Sequence, residues 1–152
     1  FSTWLVQRSM LTVGLRVKKQ MDNADKLARA LEKDPHVIKV NYPTVEKYPQ
    51  KELAKKLFKN SNMCGAMLSF EMPSDREKIN EFMKRLNICH YAPTLGGVRT
   101  TMSHPATSSH RDLPEEMKKA LGITEGLMRI SVGIEEPEDL IADFTQALKA
   151  FD

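Results

Sequence analysis

Residues 127–135 read Leu127-Met128-Arg129-Ile130-Ser131-Val132-Gly133-Ile134-Glu135 and run into a strongly patterned segment, 137–151. Side chains alternate across a strand with period two, so Met128, Ile130 and Val132 share one face while Leu127, Arg129 and Ser131 share the other. An arginine inside an apolar strand is costly unless an anion meets it. Its planar, permanently charged fork suits two-pronged recognition of a carboxylate or phosphate. From the strand alone, the simpler reading is an internal salt bridge with one of the chain's own acids.

Working outward, 137–151 is an amphipathic helix. Leu140, Ile141, Phe144, Ala147, Leu148 and Phe151 make an apolar stripe, and Glu138 and Asp139 in the first turn suit the helix dipole. Upstream, Pro114 opens a helix that ends at Leu121-Gly122 with glycine as its C-terminal cap. The segments 88–91 and 98–102 are short strands flanking Pro93-Thr94-Leu95-Gly96-Gly97, whose double glycine marks a sharp turn or a close approach. In 66–72, Ala66, Leu68, Phe70 and Met72 alternate with Met67, Ser69 and Glu71, as expected of a strand packed on one side. Ser74-x-x-Glu77 forms a capping box for a helix to about Leu86, with Ile79, Phe82, Met83 and Leu86 inward.

The first third is helical over 3–31, with Ser2 as cap and a bend expected near Gly14, where two segments would join. Met21, Ala24, Leu27 or Ala28, and Leu31 face inward, and Asp22 with Lys26 and Asp25 with Arg29 are spaced as ion pairs on the wet side. The helix stops before Asp34-Pro35. A strand over 37–42 follows, with Ile38, Val40 and Tyr42 on one face, then a loop bracketed by Pro43 and Pro49, then a short basic helix over 52–58. The expected fold is α+β: a mostly antiparallel four- to five-stranded sheet with helices on one face, preceded by a long linker helix. We divide the chain into a linker region, 1–34, and an α+β domain, 35–152.

With 152 residues and 41% hydrophobic content, the chain can bury a real core. The net charge of +3 is spread over helical faces where both signs alternate, which argues against nucleic acid as a partner. Basic stretches such as 51–59 read as solvated helix faces and lack interleaved aromatics. No run has membrane-spanning length and no secretory leader opens the chain, so a cytoplasmic protein without membrane contact is expected. Cys64 and Cys89 lack metal-ligand or redox spacing and read as two buried thiols. His90, His104 and His110 lack the i, i+4 spacing of a metal helix or a neighbouring nucleophile. Ser103, Ser108 and Ser109 lack the nucleophile-elbow glycines, and Gly96-Gly97 lacks the Lys-Ser or Lys-Thr of a phosphate loop. We therefore expect no metal site. The start at Phe1, without an initiator Met and directly in helical periodicity, reads as a fragment or a processed half.

Three blocks together resemble one family. They are Gly65-Ala66-Met67-Leu68-Ser69-Phe70-Glu71; Thr94-Leu95-Gly96-Gly97-Val98 leading to His104-Pro105-Ala106-Thr107 and His110; and Gly122-Ile123 followed by 127–135 and Asp139-Leu140-Ile141-Ala142-Asp143. The family is the pyridoxal-phosphate (PLP)-dependent Cys/Met metabolism, or trans-sulfuration, enzymes, which include cystathionine γ-synthase, cystathionine β- and γ-lyases, methionine γ-lyase and O-acetylhomoserine sulfhydrylase. Trp4-Leu5 to Arg8, Thr12 and Leu15-Arg16 look like its linker helix, and Val40-Asn41-Tyr42-Pro43 like its next strand. The resemblance spans essentially the whole chain and corresponds to the C-terminal small domain of a fold-type I PLP enzyme.

That resemblance implies specific roles. Arg129 matches the arginine that clamps the substrate α-carboxylate, Thr94 a serine beside the substrate, and Leu95 the next residue of that substrate loop; Pro93 falls at a specificity position. Arg99 stands where acids are common, and Cys64 where glycine is usual. PLP, its Schiff-base lysine and the partner of its ring nitrogen belong to the preceding large domain, so no catalytic or cofactor-binding residue is expected here, and the chain alone should be inactive. Joined to its N-terminal PLP domain in a homotetramer, it would serve β- or γ-elimination or γ-replacement on cystathionine, methionine or an O-acylhomoserine. Two rivals stand beside this: a free-standing module that binds an amino acid or a partner protein, and a purely structural oligomerisation domain.

Overall fold

The computed structural model describes residues 1–58 and 63–152, so Lys59 of the basic stretch lies outside the described residues. The described helices are α1 Ser2–Met10, α2 Val13–Lys33, α3 Lys51–Leu57, α4 Arg76–Arg85, α5 Glu115–Ala120 and α6 Pro137–Leu148. The strands are β1 Lys39–Asn41, β2 Met67–Glu71, β3 His90–Tyr91, β4 Thr101–Ser103 and β5 Leu127–Ser131, with 3₁₀ turns at Pro105–Thr107 and Lys149–Phe151. None of the described helices is long and apolar enough to cross a membrane.

One mixed sheet runs in the order β1-β2-β5-β4-β3. The first three neighbouring pairs are antiparallel, and β3 alone runs parallel to its neighbour β4. The strand carrying Arg129 is the central one. Its alternation is realised: Met128 and Ile130 are fully buried, with Leu68, Phe70, Val40 and Met102 on the same side. Helices α2, α4 and α6 contribute Ala24, Leu27, Ala28, Leu31, Ile79, Phe82, Leu140, Phe144 and Leu148 to that core. Phe70, Phe82 and Phe144 join strand and helices in a cluster of ring centroids 6.1–6.2 Å apart.

Local details depart from the sequence expectation for identifiable reasons. The bend expected near Gly14 is a break between two helices at Leu11-Thr12, with Gly14 in the first turn of α2. Arg16 secures the break, donating from Nε to Thr12 Oγ1 (3.2 Å) and from Nη2 to Ser9 O (2.7 Å). Phe1, not Ser2, occupies the N-cap of α1. Helix α4 is capped by Asp75, whose carboxylate accepts from the amides of Glu77 and Lys78, in place of Ser74. Asp25 does pair with Arg29, but Lys26 reaches across to Glu138 of α6 instead of back to Asp22. Ile38 is 60% exposed because it precedes β1 at the sheet's edge, while Val40 and Tyr42 are buried. Cys89 is buried and Cys64 only half-buried. The C-terminus of α5 closes as expected, with Gly122 at φ 69° and the amides of Gly122 and Ile123 donating to Lys119 O and Lys118 O.

Asp143 ties α6 to the chain that leads into β3. It is 5% exposed, and its carboxylate accepts from the amides of Asn87 (2.8 Å), Ile88 (2.9 Å) and Cys89 (3.1 Å), ordering the chain between α4 and β3. Burial alone would raise its pKa, but these amides, with the Gln146 side chain, outweigh it and hold the carboxyl below the usual range. Burial, followed by the charges of Asp143 and Glu135, pushes the Cys89 thiol up to about 12, so it stays protonated and unreactive. Asp143→Ala leaves three amides without their acceptor and should cost about 3 kcal/mol of unfolding free energy, read by chemical denaturation. A lowered carboxyl pKa contributes stability above its unfolded value of about 4, which is lost as the pH falls through the folded value. The variant's stability should therefore depend less on acid below about pH 4 than the parent's.

Candidate functional site

The face of the sheet away from the helices carries a polar row. By register, Asn41, Ser69, Arg129 and Ser103 lie side by side across β1, β2, β5 and β4. The next row is Met67, Ser131, Thr101 and His90. Arg129 is half-buried. Among the described residues it has no carboxylate within ion-pair distance and no hydrogen-bond partner. Acids near it in sequence or register are committed elsewhere. Glu71 accepts from Thr124 Oγ1 at 2.8 Å, and Glu135 is held by Thr100. The internal salt bridge suggested by the strand alone is therefore not formed.

Over the second row hangs the exposed loop 93–99. Thr101 Oγ1 donates to Thr94 O (3.0 Å), and the hydroxyls of Thr94 and Thr101 are 3.5 Å apart. Gly96, at φ 74°, donates its amide to Ser131 Oγ at 3.0 Å. A side chain at Gly96 would be strained in this left-handed conformation, so the glycine is what allows the loop to turn back onto the sheet. Ser131 is two residues along β5 from Arg129 on the same face, roughly 7 Å away. The fold thus brings Thr94 and Arg129 onto one surface, with Pro93 and Leu95, the latter 66% exposed, on the same loop.

Beneath this surface is a buried polar network that sequence reasoning missed. Glu135 accepts from Thr100 N (2.6 Å) and Thr100 Oγ1 (2.8 Å), and Thr100 Oγ1 in turn accepts from Gly133 N (2.9 Å). From α2, Asn23 Nδ2 donates to Gly133 O (3.2 Å) and Glu135 O (2.6 Å), while Gln20 Nε2 donates to Gly97 O (2.6 Å). Gln20 and Asn23 are 3% and 1% exposed. One signal was available: both continue the Ala24, Leu27, Leu31 stripe backwards, placing amides at core-facing positions. His104 is also buried, its nitrogens occupied by Glu125 O (2.7 Å) and Thr107 Oγ1 (3.0 Å), which is a structural arrangement. Among the described residues no group of His, Cys, Asp and Glu could hold a metal ion.

Comparison with known proteins follows the same outline. The family described as Cys/Met metabolism PLP-dependent enzyme matches residues 1–149. A cystathionine beta-lyase of Lactococcus lactis is 39% identical over 147 residues, covering 97% of this chain and 38% of the relative. An L-methionine gamma-lyase of Treponema denticola is 39% identical over 148 residues, covering 97% of this chain and 36% of the relative. The crystal structure of cystathione gamma lyase from Micromonospora echinospora superposes with a TM-score of 0.85 at 34% identity, covering 96% of this chain and 37% of that one. The chain therefore spans well under half the length of the relatives it matches.

PLP needs a lysine for its Schiff base and a partner for its ring nitrogen. The cross-strand and same-face neighbours of Arg129 are Ser69, Ser103, Leu127 and Ser131, none of them a lysine. Lys39, on the edge strand of this face, is paired in register with Glu71. The surface around Arg129 therefore supplies no lysine for the cofactor's Schiff base.

Gly133 is required where β5 leaves the sheet, because a methyl group there would run into Val98 O, Thr100 N and the Glu135 carboxylate. Gly133→Ala should cost about 2 kcal/mol or more by denaturant titration, with protection from hydrogen exchange lost first around Thr100.

Proposed function

Since the chain belongs to the Cys/Met metabolism PLP-dependent enzyme family, we propose that it is the substrate-binding C-terminal part of an enzyme of sulfur amino-acid metabolism. In this reading Arg129 receives the substrate α-carboxylate. The observation that carries it is the half-buried guanidinium without an internal acid, on the face over which the Thr94 loop is hung. A fork of N–H donors so placed is best satisfied by a carboxylate brought from outside. Thr94 adds a hydroxyl beside it, and Leu95 lines the substrate. Pro93 lacks an amide donor and shapes which substrates fit.

Cystathionine, methionine and an O-acylhomoserine all carry the α-carboxylate that Arg129 would grip. What they have in common is thus read by the strand, and what separates them by the loop. The reaction is elimination or replacement at the β or γ carbon, and PLP with its lysine is assigned to the part of the enzyme outside this chain, which alone is inactive. Helix α1 supports that division. It buries none of its residues, and Trp4, Val6, Met10 and Leu11 are 57%, 59%, 62% and 80% exposed. We assign this apolar helix to the contact with the PLP domain, in a cytoplasmic homotetramer.

The test is a chimaera in which this chain replaces the segment it matches in the Lactococcus lactis enzyme. It should cleave cystathionine, and Arg129→Ala should lose about 2 to 5 kcal/mol in kcat/KM, roughly 30-fold or more. An active chimaera indifferent to that substitution overturns the role given to Arg129. Separately, the chain on its own should self-associate through α1, and the double variant Met10→Gln, Leu11→Gln should sediment as a smaller species.

A further inference from the structure

The 94–97 segment is held at three points. Two lie on the sheet: Thr101 holds Thr94 O, and Ser131 holds the Gly96 amide. The third is the Gln20 side chain on α2, which reaches Gly97 O at 2.6 Å, and Gln20 is 3% exposed. The buried Gln20 amide has no water to fall back on, so the bond to this one loop carbonyl ties the exposed loop to that helix. Three residues further along the same helix, Asn23 holds Gly133 O and Glu135 O, where β5 leaves the sheet. Both boundaries of the Arg129 surface are therefore referenced to one face of α2.

We propose that Gln20 is a positioning residue: it sets the distance between the Thr94 loop and Arg129 by hanging the loop from α2. The inference rests on the reading of Arg129 as the carboxylate site. Gln20 does not touch the substrate and acts through the backbone of Gly97. Its consequence is a mechanical link. The start of α2 is exposed, with Val13 at 41% and Leu15 at 74%, and it continues the uncovered α1. A contact at the start of this helix reaches the substrate loop through Gln20.

The test uses the full chain, isotope-labelled, titrated with L-cystathionine while the Arg129 Nε–H and Gly96 amide signals are followed by NMR. Gln20→Met keeps the shape and removes the donor. It should weaken binding roughly tenfold, the size expected for one buried hydrogen bond, and speed hydrogen exchange at 96–98, with β2 and β5 exchange unchanged. Should Gln20→Met fold poorly, Gln20→Asn, which keeps an amide but falls one methylene short of Gly97 O, is read in the same way. Arg129→Met is the reference and should abolish the response. If it does so while the Gln20 variants bind and exchange like the parent, the positioning role is wrong and the site reading stands. If L-cystathionine moves neither signal in the parent, or Arg129→Met binds equally well, the site reading falls and the inference with it.

Discussion

The structure depends on the two-sidedness of β5. A central strand has no free edge, so both of its faces must be committed, and here the commitments are opposite. Met128 and Ile130 close the core against three helices, while Arg129 and Ser131 line a polar surface. A register slip of one residue would bury the guanidinium among Phe70 and Phe144 and expose the core methionine, at a cost no surface interaction could offset. The hydrophobic effect that holds the sheet to its helices thus also fixes where the charge points.

Around that strand, polar groups do positional work that apolar packing cannot. Asn23 and Gln20 hold loop carbonyls from α2, and the Glu135 carboxylate with the Thr100 hydroxyl bonded to it holds the amides of Thr100 and Gly133. Asp143 does the same on the far side for the chain entering β3. Loops held in this way lose less freedom when a ligand arrives, because much of their ordering has occurred on folding. The 93–99 loop is exposed yet anchored, which is the combination a binding loop requires.

Periodicity located β2, β5, the main helices and the unusual arginine, because burial on one face writes itself into alternation, whereas the strand expected over 98–102 begins only at Thr101, after the loop. Val40, Leu68, Phe70, Met128 and Ile130 all follow the alternation. What periodicity missed is of two kinds. Capping and pairing are decided by short-range geometry among near-equivalent residues, so Asp75 displaced Ser74, and Lys26 found Glu138 before Asp22. Long-range polar contacts such as Gln20 with Gly97 or Asp143 with Ile88 join residues far apart in sequence, and only an amide or carboxylate on an otherwise apolar helix face hints at them. The candidate site was legible at Arg129, where chemistry and pattern conflict, and at Thr94 through resemblance. Its supports were not legible.

The outermost strands are short: β1 has three residues and β3 two. A sheet edge of that length offers few unpaired backbone groups, too few to template a growing stack of strands. The edges of the sheet are thereby protected against strand-by-strand growth.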